Sequence, residues 1–192
     1  MRKLGISYEN PIDNFLYSFI EIMAPYMYKY NIYPNMITTM GTICWIYGAF
    51  ILYNNNNYIF SAILFAVSYY FDCLDGYVAR KYNQQTLIGD YFDHISDTLK
   101  GLCYLMIFYV LNTNLFYILF PFILIGLFLS TLHMTYQEKI HNKTDDSPTL
   151  AMLNNLIPGH LFTKNKDKLK QRLKITRYFG TGTTNFLFVS IS

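Results

Sequence analysis

The 192-residue sequence has little charge, since Asp, Glu, Lys and Arg together make up only 14% of it. A soluble domain carries roughly 25% of these residues. Apolar residues make up 53% of the chain and aromatic residues 19%. This shortage of charge excludes an ordinary soluble domain and indicates that a lipid bilayer is the solvent for most of the chain.

Cysteine is also scarce. Cys44, Cys73 and Cys103 lie in apolar stretches without metal-ligand spacing, so we expect buried free thiols rather than a disulfide framework or a zinc site. The first residues, "MRKLGISYENPIDN", lack the apolar run of a cleavable signal peptide. The net charge is only +3, so no nucleic-acid partner is expected.

Four apolar segments are each long enough for a membrane-spanning helix, which needs about 20 residues. They are residues 34–53, 58–78, 89–111 and 115–136. Residues 8–30 carry an apolar face that predicts one more helix, either lying in the membrane interface or packed on protein. That face consists of Ile12, Phe15, Leu16, Phe19, Ile20 and Met23. We therefore predict an all-α, multi-span membrane bundle that forms a single domain over residues 1–192.

Lysine and arginine indicate how this bundle is oriented. The connectors after the first and third segments are uncharged, and every Lys or Arg except Lys100 falls on the opposite side. Because basic connectors stay in the cytoplasm, both chain ends and the connector 79–88 are predicted to be cytoplasmic.

Five of the twelve acidic residues fall in one window, "DCLDGYVARKYNQQTLIGDYFDHISD", residues 72–97. Asp72 and Asp75 are spaced i, i+3, and Asp93 and Asp97 are spaced i, i+4, so each pair shares one helix face. The short connector makes the second and third segments antiparallel neighbours. Both pairs are therefore expected at a similar depth, just below the cytoplasmic surface.

Carboxylates at this place call for cations. An Asp at the centre of a membrane helix costs about 2.5–3.5 kcal/mol. Arg80 and Lys100 are too few to neutralise four of them, so we predict two hard divalent ions, Mg²⁺ or Mn²⁺. Buried ion pairs that only stabilise the bundle are the structural alternative. Asp90, near a helix N-terminus, is expected to have a capping or interface role.

Small residues accompany the acids. Gly76, Ala79 and Gly89 would let a ligand approach the helix backbone closely, and Arg80 offers a fork for phosphate. Together with the acids, they predict a pocket for a phosphorylated, nucleotide-bearing substrate.

These residues form a pattern that resembles the signature of the CDP-alcohol phosphatidyltransferase family, also called CDP-alcohol phosphotransferases, class I. The pattern is Asp72-x-x-Asp75-Gly76-x-x-Ala79-Arg80, eight residues, then Gly89-x-x-x-Asp93-x-x-x-Asp97. The stretches "NPIDN" and "YPNMITTMG" are also similar to the family's interfacial helix and the start of its first span. The resemblance implies a six-span enzyme of phospholipid biosynthesis that transfers a substituted phosphate from a CDP-alcohol to an acceptor alcohol or lipid and releases CMP.

The resemblance also implies residue roles. Asp72, Asp75 and Asp93 would hold Mg²⁺ or Mn²⁺, and Asp97 would contact metal and act as the general base. The cytidine nucleotide would be lined by Gly76, Ala79, Arg80 and Gly89. It further implies a homodimer among membrane lipids, located in the endoplasmic reticulum if the source is eukaryotic. With four clear spans, the chain is expected to lack the last one or two family helices.

The substrate branch stays open at this point. The run "DYFDHISD" resembles the choline and ethanolamine phosphotransferase branch, whereas "ARKYNQ" is similar to phosphatidylinositol synthases that use CDP-diacylglycerol; we slightly favour the former. His94 and Lys100 are further candidate site residues, although His94 could instead make a helix-interface hydrogen bond. His133 could face the site or anchor the membrane interface.

Other functions remain as alternatives. A prenyltransferase would need further acidic clusters, and none follows Asp97 within a span. A divalent-cation transporter would need polar residues that reach the opposite membrane face, where the second and third segments are apolar. A shortened, catalytically impaired relative is the third alternative.

Overall fold

The computed structural model describes residues 5–55, 57–141 and 165–191. Within these residues the elements are helical, and the predicted all-α fold is confirmed. The helices are α1 (Pro11–Lys29), α2 (Pro34–Asn55), α3 (Tyr58–Lys81), α4 (Leu87–Leu111), α5 (Thr113–His141), α6 (Lys166–Thr176) and α7 (Thr181–Ile191), with a 3₁₀ turn at Arg177–Phe179.

Helix ends follow from local sequence. The Asn10 side chain caps α1 by accepting from the Ile12 N–H, and Thr86 caps α4 by accepting from the Gly89 N–H. Pro34 opens α2, where a missing N–H costs nothing. After α1 and α3 the chain passes through Asn31 and Asn83 with φ of 55° and 53°, a left-handed conformation that asparagine tolerates.

Among the described residues, three helices are long and apolar enough to cross a membrane: Pro34–Asn54, Tyr58–Lys81 and Thr113–Gln137. They correspond to the first, second and fourth predicted spans. Helix α4 has 25 residues, enough for a span, but Asp90, Asp93, Asp97 and Lys100 interrupt its apolar character. The chain is therefore a helical membrane protein, and the crossing by α4 stays a prediction.

Helix α2 packs on both α3 and α4. Two glycines seven residues apart let α3 approach it closely. A Cβ at Gly41 would lie 3.1 Å from Phe71 Cβ, and one at Gly48 would lie 3.1 Å from Leu64 Cβ. Small residues at helix crossings are the usual means of close packing in membranes. Because α3 and α4 contact each other far less than each contacts α2, α2 determines how they face one another.

Helix α1 lies within the predicted residues 8–30 and packs partly on protein, while its place in the membrane interface stays a prediction. Its buried residues Tyr17, Ile20 and Ala24 pack against α2 and α3. Phe15 and Phe19, also on the predicted apolar face, are 65% and 51% exposed. One face therefore packs on protein, while a neighbouring apolar face is left available for lipid.

The region after residue 136 differs from the sequence-based expectation. Helix α5 continues to His141, so residues 137–141, beyond the end of the fourth predicted span at residue 136, are helical. The lysine-rich stretch 166–176 forms α6, because Leu169 and Leu173 recur on one face and pack against Leu132 and Tyr136 of α5. Residues 151–162, which form a short apolar run in the sequence, lie outside the described residues.

The three cysteines are free thiols, as predicted, but they are less buried than expected. Cys44 and Cys73 are half-buried, and Cys103 is exposed on the outer surface of α4. That surface would face lipid if α4 crosses the membrane. An apolar residue is favourable there even though protein does not enclose it.

Candidate active site

Three carboxylates meet where α3 ends and α4 begins. Asp72, Asp75 and Asp93 each offer one oxygen, and these oxygens lie within 4.8 Å of one another. Their meeting follows from the sequence spacing, since each pair shares a face and α2 holds the two helices in register. We call Asp72, Asp75, Asp93 and Asp97 the acidic cluster.

Asp97 stands apart from the other three acids. It is not part of the close group, its side chain is 44% exposed, and its Oδ1 accepts a hydrogen bond of 2.9 Å from Lys100 Nζ. Its charge nevertheless repels those of Asp72 and Asp93. The structure thus divides the predicted four-ligand set into a compact group of three and one separate acid.

The compact group has oxygens without protein partners. Asp72 Oδ1 and Asp93 Oδ1 are buried and have no hydrogen-bond partner among the described residues. A buried polar atom without a partner costs about 1–3 kcal/mol, and more when it is charged. Like charges at this distance add repulsion. A divalent cation with oxygen ligands would remove both costs, so the donor set fits Mg²⁺ or Mn²⁺.

A hydroxyl from α2 also supports the compact group. This contact was not predicted from the sequence. Thr38 Oγ1 donates a short hydrogen bond to Asp75 Oδ2, and Asp75 is only 3% exposed. One turn further along α2, Thr42 Oγ1 lies 2.8 Å from Ser96 Oγ of α4. The signal was present in "PNMITTMGT", where Thr38 and Thr42 are spaced i, i+4, but only the packing of α2 shows what they contact.

The predicted nucleotide-site residues lie beside the acids. A Cβ at Gly76 would lie 2.9 Å from Arg80 Nη1, so the guanidinium folds back over the bare glycine. A Cβ at Gly89 would lie 3.0 Å from Asn35 Oδ1, so this glycine lets α2 and α4 come together. Ala79 is half-buried on the same helix as Gly76. Their binding of a nucleotide stays a prediction.

The two histidines have different surroundings. His94 Nε2 lies 3.4 Å from Asp90 Oδ1 on the same helix, so these two residues pair at the start of α4. His133 is 2% exposed and bonds Thr176 Oγ1 at 2.9 Å and Gln137 Nε2 at 2.8 Å. His133 therefore joins α5 to α6 and is enclosed by protein.

A second polar cluster joins α1, α3, α5 and the start of α7. Asn10 Nδ2 donates to Arg177 O and to Thr183 Oγ1, each at 2.7 Å, and Tyr69 Oη donates to Asp13 Oδ1 at 2.6 Å. A Cβ at Gly180 would lie 3.2 Å from Asn10 Cβ and 3.3 Å from His133 Cδ2, so the bare glycine lies beside both residues and places the bonds around His133 next to this set. We call these residues the junction cluster.

Asp13 carries the main electrostatic cost of the junction cluster. Burial raises the pKa of its carboxyl to about 6; the hydrogen bond from Tyr69 lowers the pKa and the nearby charge of Glu9 raises it. A Cβ at Gly182 would lie 2.2 Å from Asp13 Oδ1, so the carboxyl sits directly on the first turn of α7.

Fold and site together define a helical membrane protein with a compact carboxylate group where α3 ends and α4 begins. The family model for CDP-alcohol phosphatidyltransferases matches residues 31–162, which include every residue of the acidic cluster. The chain therefore belongs to the CDP-alcohol phosphatidyltransferase family.

One relative is a protein of Aquifex aeolicus (strain VF5) described only as uncharacterized. It is 33% identical over 78 residues, which are 41% of this chain and 39% of the relative. The chain thus aligns with about two fifths of that relative's length. No solved structure matches the chain.

Proposed function

We propose that the protein is a membrane phosphotransferase of phospholipid synthesis, which transfers a substituted phosphate from a CDP-alcohol to an acceptor alcohol and releases CMP. The family match supports this class of reaction. The observation that carries the proposal is the group of three carboxylate oxygens within 4.8 Å of one another. Such a group is costly in a membrane unless it binds a ligand of opposite charge.

Asp72, Asp75 and Asp93 are the residues that would hold divalent ions. When bound, Mg²⁺ or Mn²⁺ would neutralise a diphosphate and stabilise the charge that develops on the leaving phosphate. Thr38 fixes one oxygen of Asp75, so the ligand group is oriented before any ion arrives. Asp97 is held by Lys100 in the structure and is not counted among these ligands.

Asp97 is the proposed general base. Its exposed carboxylate can take the proton of the acceptor hydroxyl, whose oxygen then forms a bond to the alcohol-bearing phosphorus. The bond from that phosphorus to the CMP oxygen breaks, and CMP leaves with the electron pair. Arg80 would bind a phosphate oxygen, and the bare surfaces at Gly76, Ala79 and Gly89 would admit the nucleotide.

The predicted orientation of the chain in the membrane supports this reaction. If the α3–α4 connector is cytoplasmic, a soluble nucleotide reaches the site from the cytoplasm while lipid chains stay in the bilayer. The substrate branch is proposed from sequence alone: "DYFDHISD" favours an aminoalcohol donor such as CDP-choline or CDP-ethanolamine. Donor use of CDP-diacylglycerol, as in phosphatidylinositol synthases, is the alternative.

A CMP-release assay in membranes tests the proposal. Radiolabelled CDP-choline, CDP-ethanolamine and CDP-diacylglycerol are supplied in turn with diacylglycerol or inositol. We expect release with one donor, none in EDTA, and recovery with Mg²⁺ or Mn²⁺. Asp97→Asn should abolish release, while Mn²⁺ binding partly survives because the compact group remains.

Two results would contradict this assignment. Unchanged turnover in Asp97→Asn would exclude the base role. Divalent-cation flux into vesicles, without CMP release from any of the three donors, would instead favour a transporter.

A further inference from the structure

Lys100 is unusual among the basic residues. It alone lies away from the predicted cytoplasmic side, one helix turn beyond Asp97 towards the middle of α4. A lysine at the centre of a membrane helix is costly unless its charge is balanced. A position this costly requires a specific partner.

The partner is the acidic cluster. The Lys100 side chain is 12% exposed, and its Nζ lies 2.9 Å from Asp97 Oδ1. Side chains in a helix lean towards the N-terminus, so the ammonium group reaches back to the level of the acids. Its charge also acts on Asp72 and Asp93.

The same contact restricts Asp97. One of its carboxylate oxygens is engaged by the ammonium group, and Asp97 is the acid that does not join the compact group. Without this contact, the i, i+4 spacing would let Asp97 turn towards Asp93 and act as a further ligand. A carboxylate held by metal is a poorer base, because its charge is shared with the ion.

We propose that Lys100 is a positioning residue: by holding Oδ1 of Asp97, it keeps this acid out of the ion site and leaves its other oxygen for the acceptor hydroxyl. This inference rests on the proposed function.

Charge balance supports the same role. Four carboxylates would cancel the charge of two divalent ions. Arg80 and Lys100 would then match the two negative charges of the diphosphate in a CDP-alcohol. The site would thus be close to neutral with substrate bound, as a low-dielectric surrounding requires.

The first measurement is Mn²⁺ binding to the purified protein without substrate, followed by electron paramagnetic resonance. Lys100→Met keeps the length of the side chain and removes its charge, whereas Lys100→Arg keeps the charge. We expect Lys100→Met to bind Mn²⁺ roughly tenfold more tightly, because a positive charge is lost and Asp97 becomes an additional ligand. Lys100→Arg should bind Mn²⁺ with nearly the affinity of the unmodified protein.

The Asp97→Asn background separates these two causes. If Asp97 becomes a ligand when Lys100 is lost, Lys100→Met should tighten Mn²⁺ binding clearly less in Asp97→Asn than in the unmodified protein. Equal tightening in both backgrounds would overturn the positioning role and leave a charge effect only.

Kinetics give the second measurement. We expect Lys100→Met to lower kcat by about 10–100-fold, with the donor KM changed less than about twofold and most of kcat restored by Lys100→Arg. A raised donor KM with unchanged kcat would instead make Lys100 a phosphate ligand and overturn the proposal. Weaker Mn²⁺ binding together with a lower unfolding temperature would overturn it in favour of a purely structural role.

The two hypotheses can fail separately. If the unmodified protein releases no CMP from any donor, the proposed function fails. The Mn²⁺ titrations would still decide whether Lys100 holds Asp97 away from the ion site.

Discussion

The acidic cluster and the junction cluster both include residues of α3, yet they satisfy their polar groups in opposite ways. In the junction cluster, Asn10 and Tyr69 donate to oxygens on neighbouring helices at 2.7 and 2.6 Å. In the acidic cluster, Asp72 and Asp93 each keep a buried oxygen without a hydrogen-bond partner among the described residues. Polar networks that are satisfied by protein stabilise a fold, whereas unsatisfied ones indicate a ligand.

The number of carboxyl groups differs as well. The junction cluster brings one carboxyl together with hydroxyls, an amide and the first turn of α7. The acidic cluster brings four carboxylates together with Lys100 and Arg80. Changes in the first cluster should therefore alter stability, and changes in the second should alter activity and ion binding.

Asp93→Asn should have the largest effect. It removes one of three ion ligands, so CMP release should fall by about 10³-fold or more, since a bound metal supplies several kcal/mol of transition-state stabilisation. The matched control is Asp90→Asn, one turn earlier on α4 and paired with His94. The control should keep its activity within a few-fold. Equal losses in both variants would mean that the compact group has no special role.

Asp13→Asn should have the next largest effect, on stability and with a pH dependence. The folded-state pKa of about 6 lies above the usual value of 3.8, so the folded protein favours the protonated acid. The contribution of this proton to stability is complete below about pH 4 and is lost as the pH rises through 6. At pH 7.5 the cost of the ionised group reaches up to about 3 kcal/mol.

The Asn variant should therefore be more stable than the unmodified protein at pH 7.5 and nearly equal to it at about pH 3.5. Thermal unfolding in detergent across this range measures the difference. Glu21→Gln, an exposed acid on the same helix, is the control and should show no such trend. A loss of stability at pH 7.5 would mean that the ionised carboxyl stabilises the first turn of α7 by more than its burial costs.

Much of the acidic cluster could be predicted from sequence because its geometry is local. Asp72 and Asp75 share a face through helix periodicity alone, and a short connector brings α4 beside them. The all-α fold follows in the same way from long apolar segments. The separation of Asp97 was not predicted, since it depends on which acid the Lys100 ammonium group contacts.

The junction cluster could not be predicted at all. Asn10 and Thr183 are 173 positions apart, and only the packing of α7 between α1, α3 and α5 brings them together. The same limit applies to Thr38, whose bond to Asp75 spans 37 positions. Sequence periodicity identifies a helix face, but the partner of that face depends on the tertiary arrangement.

The smallest expected effects concern Thr38 and Thr42, which lie one turn apart on α2. They test whether the α2 contacts that matter for activity extend beyond the bond to Asp75. Each hydroxyl also lies within hydrogen-bonding distance of the carbonyl four residues back, that of Pro34 for Thr38 and that of Thr38 for Thr42, so the two variants differ in the second partner, Asp75 or Ser96. Thr38→Val should lower kcat by about 10–100-fold, because Asp75 loses the donor that orients it. Thr42→Val removes only a bond to the neutral Ser96, so it should cost about 1 kcal/mol of stability with kcat nearly unchanged. If both variants lose activity equally, the whole α2–α4 contact, rather than the orientation of Asp75, controls the reaction.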